Sequence, residues 1–224
     1  MDSVHIWKGP RFKMTNGKPR NTYRHGDLRR ALIDAGIELA REGGPDAIVL
    51  REATRRAGVV PNAAYRHFDS RQELLSAVRS AALSFVARAM EEELAARPRK
   101  RRRADTARAG LRAIGTGYLR FAQTETGLFR TAFAAPRAEW LEHEGPYGAG
   151  PGGLDPFQLL SRALDEMVES GALDAQRRPE AEYLAWSAVH GFAFLLIEGP
   201  LQGLGRAQVE ALSGRLLDMV ENGL

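Results

Sequence analysis

Residues 49–68, VLREATRRAGVVPNAAYRHF, constrain the fold of this chain more than any other stretch. Leu50 and Ala53 lie on one face of a predicted helix, and arginines occupy the other face. Gly58 supplies the left-handed backbone conformation that a sharp helix exit needs, and Pro61 suits the first position of a second helix. Two short helices joined by a tight turn indicate a helix-turn-helix, whose second helix enters the major groove of DNA.

The turn and the second helix divide into an inward and an outward face. We expect Val59 and Val60 to fill the angle between the two helices. At about 100° per residue, Ala64 and Phe68 face inward onto the first helix. The outward positions are candidate DNA contacts: Asn62, Ala63 and Arg66 toward base edges, and Tyr65 and His67 toward the flanking phosphates. A short surface helix after a Gly-Val corner is the alternative interpretation.

The flanks of this motif make the pattern more specific. A helix is predicted over residues 27–42, and Gly43-Gly44 ends it. The sequence Tyr-x-His-Phe at the end of the motif is followed by DSRQELL. With these elements, residues 23–75 resemble the N-terminal DNA-binding domain of the TetR family of bacterial transcriptional regulators. The resemblance implies binding to an operator in double-stranded DNA.

Two positions depart from the family pattern. Val60 stands where the family places a small capping Ser, and Val49 stands where Ser or Thr caps the preceding helix. Each valine removes a side-chain acceptor worth about 1 kcal/mol to a helix N-terminus. We expect the fold to survive, with the caps supplied by other groups or by water.

The first residues of the chain form a cationic arm. Residues 1–22 show no periodicity and are interrupted by Gly and Pro. A disordered solubilising extension and an arm that contacts DNA are both open for residues 1–17. Further candidate DNA contacts follow residue 17: Lys18, Arg20, Tyr23 and Arg24. Arg51, in the first helix of the motif, is another.

Composition and charge agree with this assignment. Residues 1–70 carry a net charge of roughly +5 and the remainder roughly −1, which suits a protein that presents one end to DNA. The chain of 224 residues contains no cysteine, so disulfides and thiolate metal sites are excluded. No apolar run is long enough to span a membrane, and the N-terminal residues are basic and polar, unlike the hydrophobic segment expected of a signal peptide. We expect a cytoplasmic protein.

The rest of the chain is predicted to be helical, so the fold class is all-α with about nine helices. A capping box at residues 70–73 begins a helix that runs to about residue 97, roughly 40 Å. Residues 98–103, PRKRRR, are expected to form a solvated loop rather than a second DNA contact. Further helices are predicted over residues 107–122, 126–135, 157–170, 180–198 and 206–220, with a Gly- and Pro-rich loop over 137–156. The predicted domains are a basic arm (1–22), a helix-turn-helix domain (23–70) and a C-terminal helical effector-binding and dimerisation domain (71–224).

The last two helices are the predicted homodimer interface. Residues 180–198 are apolar almost all round, and we expect this helix to be buried on several sides. With the helix over 206–221 it suits a four-helix contact between two copies, as the family resemblance also implies. Trp186, His190 and Gly191 further resemble the TetR subclass that is named for these three residue types.

Aromatic residues are concentrated in the C-terminal domain. Most belong to the core, and some line a cavity for a small-molecule effector, which the resemblance implies lies between the helices. The candidate pocket residues are Tyr118, Phe121, Phe133, Trp140, Trp186, His190 and Phe194.

No pattern in this sequence indicates an enzyme. His190 has no Ser, Asp or Glu at triad spacing, and a lone histidine in an apolar helix is more often a packing residue. His143 lies between two glutamates in the loop, where a solvated loop is a better interpretation than a weak metal site. The stretch GAGPGG follows no strand and has no Lys-Ser/Thr, so it is no phosphate cradle. No cofactor and no metal are predicted.

The sequence therefore predicts a ligand-responsive DNA-binding regulator, a repressor released by an effector that the sequence does not identify. One alternative is an enzyme or a ligand-sequestering helical bundle whose helix-turn-helix no longer binds DNA. A second is an architectural DNA-binding protein with no effector. The first alternative would show no salt-dependent DNA binding, and the second would show no operator preference, so these two measurements distinguish both from a regulator.

Overall fold

Helices make up all the regular structure in the part of the chain that a computed structural model describes, residues 25–98, 100–134 and 148–224. The all-α prediction is confirmed. In chain order the α-helices are α1 (His25–Gly43), α2 (Leu50–Ala57), α3 (Pro61–Ala64), α4 (Arg71–Ala96), α5 (Arg103–Thr124), α6 (Thr126–Phe133), α7 (Pro156–Glu169), α8 (Ala181–Ile197) and α9 (Arg206–Gly223). Short 3-10 helices lie at Gly44–Ala47 and Ala175–Arg177.

The N-terminal helices α1, α2 and α3 pack on one another around apolar side chains from each of them. The turn between α2 and α3 has the predicted backbone, because Gly58 closes α2 with φ of 68°. Val49 precedes α2 without a side-chain cap, as its chemistry requires. The expectation for Val60 is wrong: Val59 packs against the core, whereas Val60 is 68% exposed. The turn is too tight for two adjacent side chains to face inward together.

The long helix α4 begins with the predicted cap, in a shifted form. Ser70 accepts a hydrogen bond from the backbone N–H of Glu73 at 3.2 Å. The Glu73 carboxylate accepts one from the N–H of Asp69 at 2.7 Å, one residue before the usual partner. Arg71 then donates to the carbonyl oxygens of Ile48 and Pro45, both at 2.7 Å. The start of α4 is therefore fixed to the segment that leads into α2.

The C-terminal helices pack around α5, which contacts α4, α6, α7, α8 and α9. Helix α5 begins at Arg103, four residues before the predicted start, because its first turn extends into the basic stretch. The described residues between α4 and α5 are not helical, as predicted. No described helix is long and apolar enough to cross a membrane.

Helix α8 differs from its prediction. Ala181, Ala185, Val189 and Ala193 are buried at helical spacing. The opposite face is open in the single chain, and its large apolar residues are exposed: Tyr183 (57%), Leu184 (65%), Phe194 (52%) and Leu195 (41%). Burial on several sides is therefore not achieved within one chain, because the neighbouring helices cover one face only.

Candidate DNA-binding surface and ligand site

The recognition helix α3 is anchored by its inward face. Ala64 and Phe68 are fully buried, as the helical projection predicts. The guanidinium carbon of Arg29 on α1 lies 5.1 Å from the centre of the Phe68 ring, a cation–π distance. Helix α3 is only one turn long, and the chain continues as turns through His67. Burial of Phe68 thus fixes the orientation of a segment that is too short to be stable alone.

The exposed predicted DNA contacts lie on the open side of this segment, whereas Ala63 packs partly against the hydrophobic core. Asn62, Tyr65 and Arg66 are exposed, with Tyr65 at 57%, and Ala63 and His67 are half-buried. This surface carries hydrogen-bond donors of several kinds, and Val60 adds exposed methyl groups at its edge.

Ion pairs separate the arginines of the N-terminal helices into two groups. Arg55 donates to Glu52, and Arg56 donates to Glu42 and Glu52. The hydrogen bond from Arg55, with that from Arg56, lowers the pKa of Glu52 to about 2, so this carboxylate stays charged. Arg51 and Arg66 form no ion pair with any described residue.

Arg55 and Arg56 must give up carboxylate partners before they can bind a phosphate, whereas Arg51 and Arg66 have no such partner among the described residues.

Four other predicted contacts and one predicted pocket residue lie outside the described residues: Lys18, Arg20, Tyr23, Arg24 and Trp140. His143 also lies outside them, and the described residues contain no cluster of three or more side chains suited to a metal ion.

In the C-terminal domain, Tyr118 of α5 is the centre of a ring cluster. Its ring centroid lies 5.4 Å from that of Phe129 and 5.8 Å from that of Phe133, both on α6. His190 on α8 lies 4.9 Å from Phe133, and Trp186 lies one helical turn before it, 5.8 Å away. The sequence separates these residues widely, and the packing of α5, α6 and α8 brings them together.

Two hydrogen bonds run through this cluster. The indole N–H of Trp186 donates to the Tyr118 hydroxyl oxygen at 3.3 Å, and that oxygen lies 2.7 Å from Nδ1 of His190. Burial raises the pKa of the Tyr118 hydroxyl, and burial also lowers the pKa of His190 below 6.5. Both groups are therefore neutral at pH 7.

The ring cluster differs from the predicted pocket in its membership. Tyr118, Phe133, Trp186 and His190 are brought together, while Phe121 is buried in the core and Phe194 is half-exposed on α8. The prediction omitted Phe129 on α6 and Phe157 at the start of α7, whose ring lies 6.1 Å from Trp186. The four-residue spacing of Phe129 and Phe133 was a usable signal, because it places both rings on one helix face. No local sequence pattern predicts that Phe157 joins the cluster.

Helix α6 joins this cluster to the N-terminal helices, because it contacts α1, the 3-10 helix that follows α1, and α4. The contact with α1 is close: a Cβ added to Gly127 would lie 2.1 Å from the carbonyl oxygen of Ala40. Arg41 of α1 donates to Glu125 at 3.1 Å, just before α6. Arg130 pairs with Glu198 after α8, with 2.5 Å between the charged atoms. One eight-residue helix therefore carries two rings of the cluster and also contacts the N-terminal helix α1.

Two family models match the chain. The model of the bacterial regulatory proteins of the tetR family matches residues 32–78, and the model of the tetracyclin repressor-like C-terminal domain matches residues 111–220. Together they cover more than half of the chain. No curated protein matches it.

Solved structures share the fold. A protein of unknown function from Rhodococcus sp. RHA1 is 26% identical, with a TM-score of 0.70 over 92% of this chain and 99% of that one. A candidate transcriptional regulator from Pseudomonas aeruginosa PAO1 is 17% identical, with a TM-score of 0.59 over 90% and 94%. A candidate tetR family regulator from Shewanella sp. PV-4 is 14% identical, with a TM-score of 0.56 over 88% and 97%.

The helix-turn-helix at one end, the helical body that follows it and the two family models agree. Regulators of this kind bind DNA and are not enzymes, as the sequence predicted. The chain belongs to the TetR family of bacterial transcriptional regulators.

Proposed function

We propose that this protein is a homodimeric, cytoplasmic repressor that binds a palindromic operator and is released by a small-molecule effector. Residues 23–70 form the DNA-binding domain, and residues 71–224 form the effector-binding and dimerisation domain. The recognition surface around α3 carries the proposal: it presents Asn62 and Arg66 outward, with half-buried Ala63 beside them, on a segment anchored by buried Phe68.

Within this surface the residues have two roles. Arg66 is the main base-reading residue, because it is exposed, has no described ion-pair partner and has the reach to span two acceptors of a guanine. Asn62 and Ala63 are shorter and make lesser base contacts. Tyr65, His67 and Arg51 bind phosphates, with Lys18, Arg20, Tyr23 and Arg24 of the preceding arm.

The dimer forms through α8 and α9. Four large apolar residues of α8 are exposed on one face, and Met219 of α9 is 57% exposed. Contiguous apolar surface on a soluble protein marks an interaction site, and two copies related by a two-fold axis cover it for both partners. The dimer then places two recognition helices in successive major grooves, about 34–36 Å apart.

The effector binds at the ring cluster, together with residues outside the described part of the chain such as Trp140. Helix α6 supports the coupling, because a ligand that moves Phe129 or Phe133 also moves the helix that contacts α1. A ligand shifts the equilibrium only if it binds one arrangement of the dimer better than the other. Here the favoured arrangement has the recognition helices out of register with the operator.

The test is selection of bound sequences from a random DNA library, followed by footprinting. A repressor of this kind enriches a palindrome with half-sites one helical turn apart, and Arg66→Ala loses the preference. Arg162→Ala is the matched control, because Arg162 is exposed on α7, away from both the DNA-binding surface and the proposed dimer helices, and pairs only with Glu166 among the described residues. Tight binding without any enriched sequence would instead support an architectural role, and absence of salt-dependent binding would contradict DNA recognition altogether.

A further inference from the structure

The hydrogen bonds of the ring cluster determine which tautomer His190 adopts. An indole N–H only donates, so the Tyr118 oxygen accepts from Trp186. The buried Tyr118 hydroxyl then has its own proton to place, and the acceptor within reach is Nδ1 of His190, at 2.7 Å. A buried hydroxyl proton without an acceptor is unfavourable. Nδ1 is therefore the acceptor, and neutral His190 carries its proton on Nε2.

The other side of the same imidazole has no hydrogen-bond partner in the described part of the chain. Nε2 of His190 forms no hydrogen bond with the described residues, and His190 as a whole is only half-buried. Three aromatic rings surround it, with centroids 5.7 Å (Phe129), 4.9 Å (Phe133) and 5.8 Å (Trp186) from the imidazole. Within the described residues, the cluster thus offers the Nε2–H of His190 as a hydrogen-bond donor among ring surfaces.

Each feature of this site selects a property of the ligand. Aromatic walls favour a flat apolar ring, which stacks at centroid distances of about 4.5–7 Å. A single donor selects one acceptor, such as a carbonyl oxygen. The rings of the cluster carry no formal charge, because burial holds His190 neutral, so a carboxylate there has no counter-charge to offset its desolvation.

We propose that the ring cluster binds an uncharged aromatic molecule with a single carbonyl-type acceptor, which accepts a hydrogen bond from Nε2–H of His190. Tyr118 acts as a positioning residue, because its hydroxyl holds His190 in the Nε2–H tautomer. This inference rests on the proposed function only in placing the effector at this cluster.

Small matched probes test the ligand class on the free protein without DNA. Acetophenone has a phenyl ring and a carbonyl, ethylbenzene has the same shape without the acceptor, and benzoate adds a negative charge. Titrations are followed by the nitrogen and proton shifts of the His190 and Trp186 rings, with His190→Gln used to assign the histidine among the five in the chain. We expect acetophenone to bind at least about five-fold more tightly than ethylbenzene, equivalent to about 1 kcal/mol, and benzoate to bind more weakly than acetophenone.

Tyr118→Phe tests the positioning role, because it keeps the ring and removes the hydroxyl. We expect the His190 nitrogen shifts to change from the Nε2–H tautomer to a tautomer mixture, and the preference for acetophenone over ethylbenzene to fall to about two-fold or less. A merely structural role would leave the tautomer and this ratio unchanged.

Three outcomes overturn the inference: equal binding of acetophenone and ethylbenzene, tightest binding of benzoate, or no ring shifts with any probe up to its solubility limit. These outcomes are distinct from failure of the proposed function. A protein that discriminates the probes but binds no operator supports the ligand class and contradicts the repressor. A repressor that binds its operator but shows no discrimination does the reverse.

Discussion

The DNA-binding surface and the ring cluster are built in opposite ways. The surface around α3 comes from one continuous stretch, residues 61–67, held by a few buried residues nearby in sequence. The ring cluster takes side chains from α5, α6, α7 and α8, up to 72 positions apart in sequence. Among the described residues, the first keeps Arg66 without an ion-pair partner, and Arg51 on neighbouring α2 also has none. The second uses its polar groups on one another, and Nε2 of His190 has no hydrogen-bond partner among the described residues. A highly charged partner such as DNA requires a surface with unpaired cationic side chains, whereas a small molecule requires an apolar site with few polar groups.

The largest expected effect comes from disrupting the proposed dimer. Leu184→Asp places a charge on the exposed apolar face of α8, where Leu184 is 65% exposed in the single chain. A charge buried at an interface without a partner is strongly unfavourable, so we expect operator affinity to fall about 100-fold or more and the protein to become monomeric. Sedimentation and DNA titration measure both. An unchanged dimer would remove this face from the interface.

The junction between the two regions is tested next by Gly127→Ala. The new methyl group would lie 2.1 Å from the carbonyl oxygen of Ala40, so α6 must move away from α1. We expect the free energy of unfolding to fall by about 3 kcal/mol, at the upper end of overpacking costs. Gly203→Ala, in the exposed turn between α8 and α9, is the matched control, since nothing lies within 4 Å of its added Cβ, and it should be neutral or stabilising. Similar stabilities for the two variants in urea would show that α6 and α1 are not in tight contact.

Arg66→Ala tests whether the open surface of α3 reads bases. A bidentate contact with guanine is worth about 1–3 kcal/mol, so we expect the affinity for the selected operator to fall about 5- to 150-fold. The affinity for unrelated DNA should fall much less. Equal losses on both kinds of DNA would reassign Arg66 to phosphate binding.

Tyr65→Phe is expected to have a smaller and more uniform effect. The hydroxyl of Tyr65 is proposed to bind a phosphate, which carries no sequence information. Its removal should weaken binding to all sequences by a similar factor of about three to five, since a single hydrogen bond contributes about 1 kcal/mol. A loss confined to the selected operator would contradict the phosphate assignment.

The smallest effect concerns pH and belongs to the ring cluster. Burial lowers the pKa of His190 below its ordinary 6.5, so the unfolded chain binds this proton more readily than the folded one. The contribution of His190 to stability is therefore full above pH 6.5 and is lost as pH falls through the folded-state pKa. The free energy of unfolding of the protein minus that of His190→Gln should decrease as the pH falls over this range. Taking this difference cancels the contribution of the other titrating groups, which both proteins share. A difference that rises on acidification would contradict burial of the neutral form.

Local signals were sufficient for much of the fold. The capping Ser70, the turn at Gly58 and the paired glycines after α1 each act within a few residues, and α1, α2, α4 and α9 begin or end close to their predicted positions. The inward positions Ala64 and Phe68 also follow from helical periodicity alone. Val60 shows the limit of such signals, because periodicity does not say how many apolar side chains a tight turn can bury.

The sequence by itself determined the helices, the recognition motif and the family, because these depend on backbone preferences and on spacing along one helix. Only the tertiary structure decided that Phe129 and Phe157 join the ring cluster around Tyr118. It also decided that the face of α8 carrying Leu184 and Phe194 is exposed in the single chain. Among the described residues, it pairs Arg55 and Arg56 with glutamates and leaves Arg51 and Arg66 without an ion pair. Each of these depends on which helices meet and at what angle. The arrangement of residues 49–68 follows from their local sequence order, whereas the ring cluster exists only once α5, α6, α7 and α8 have packed.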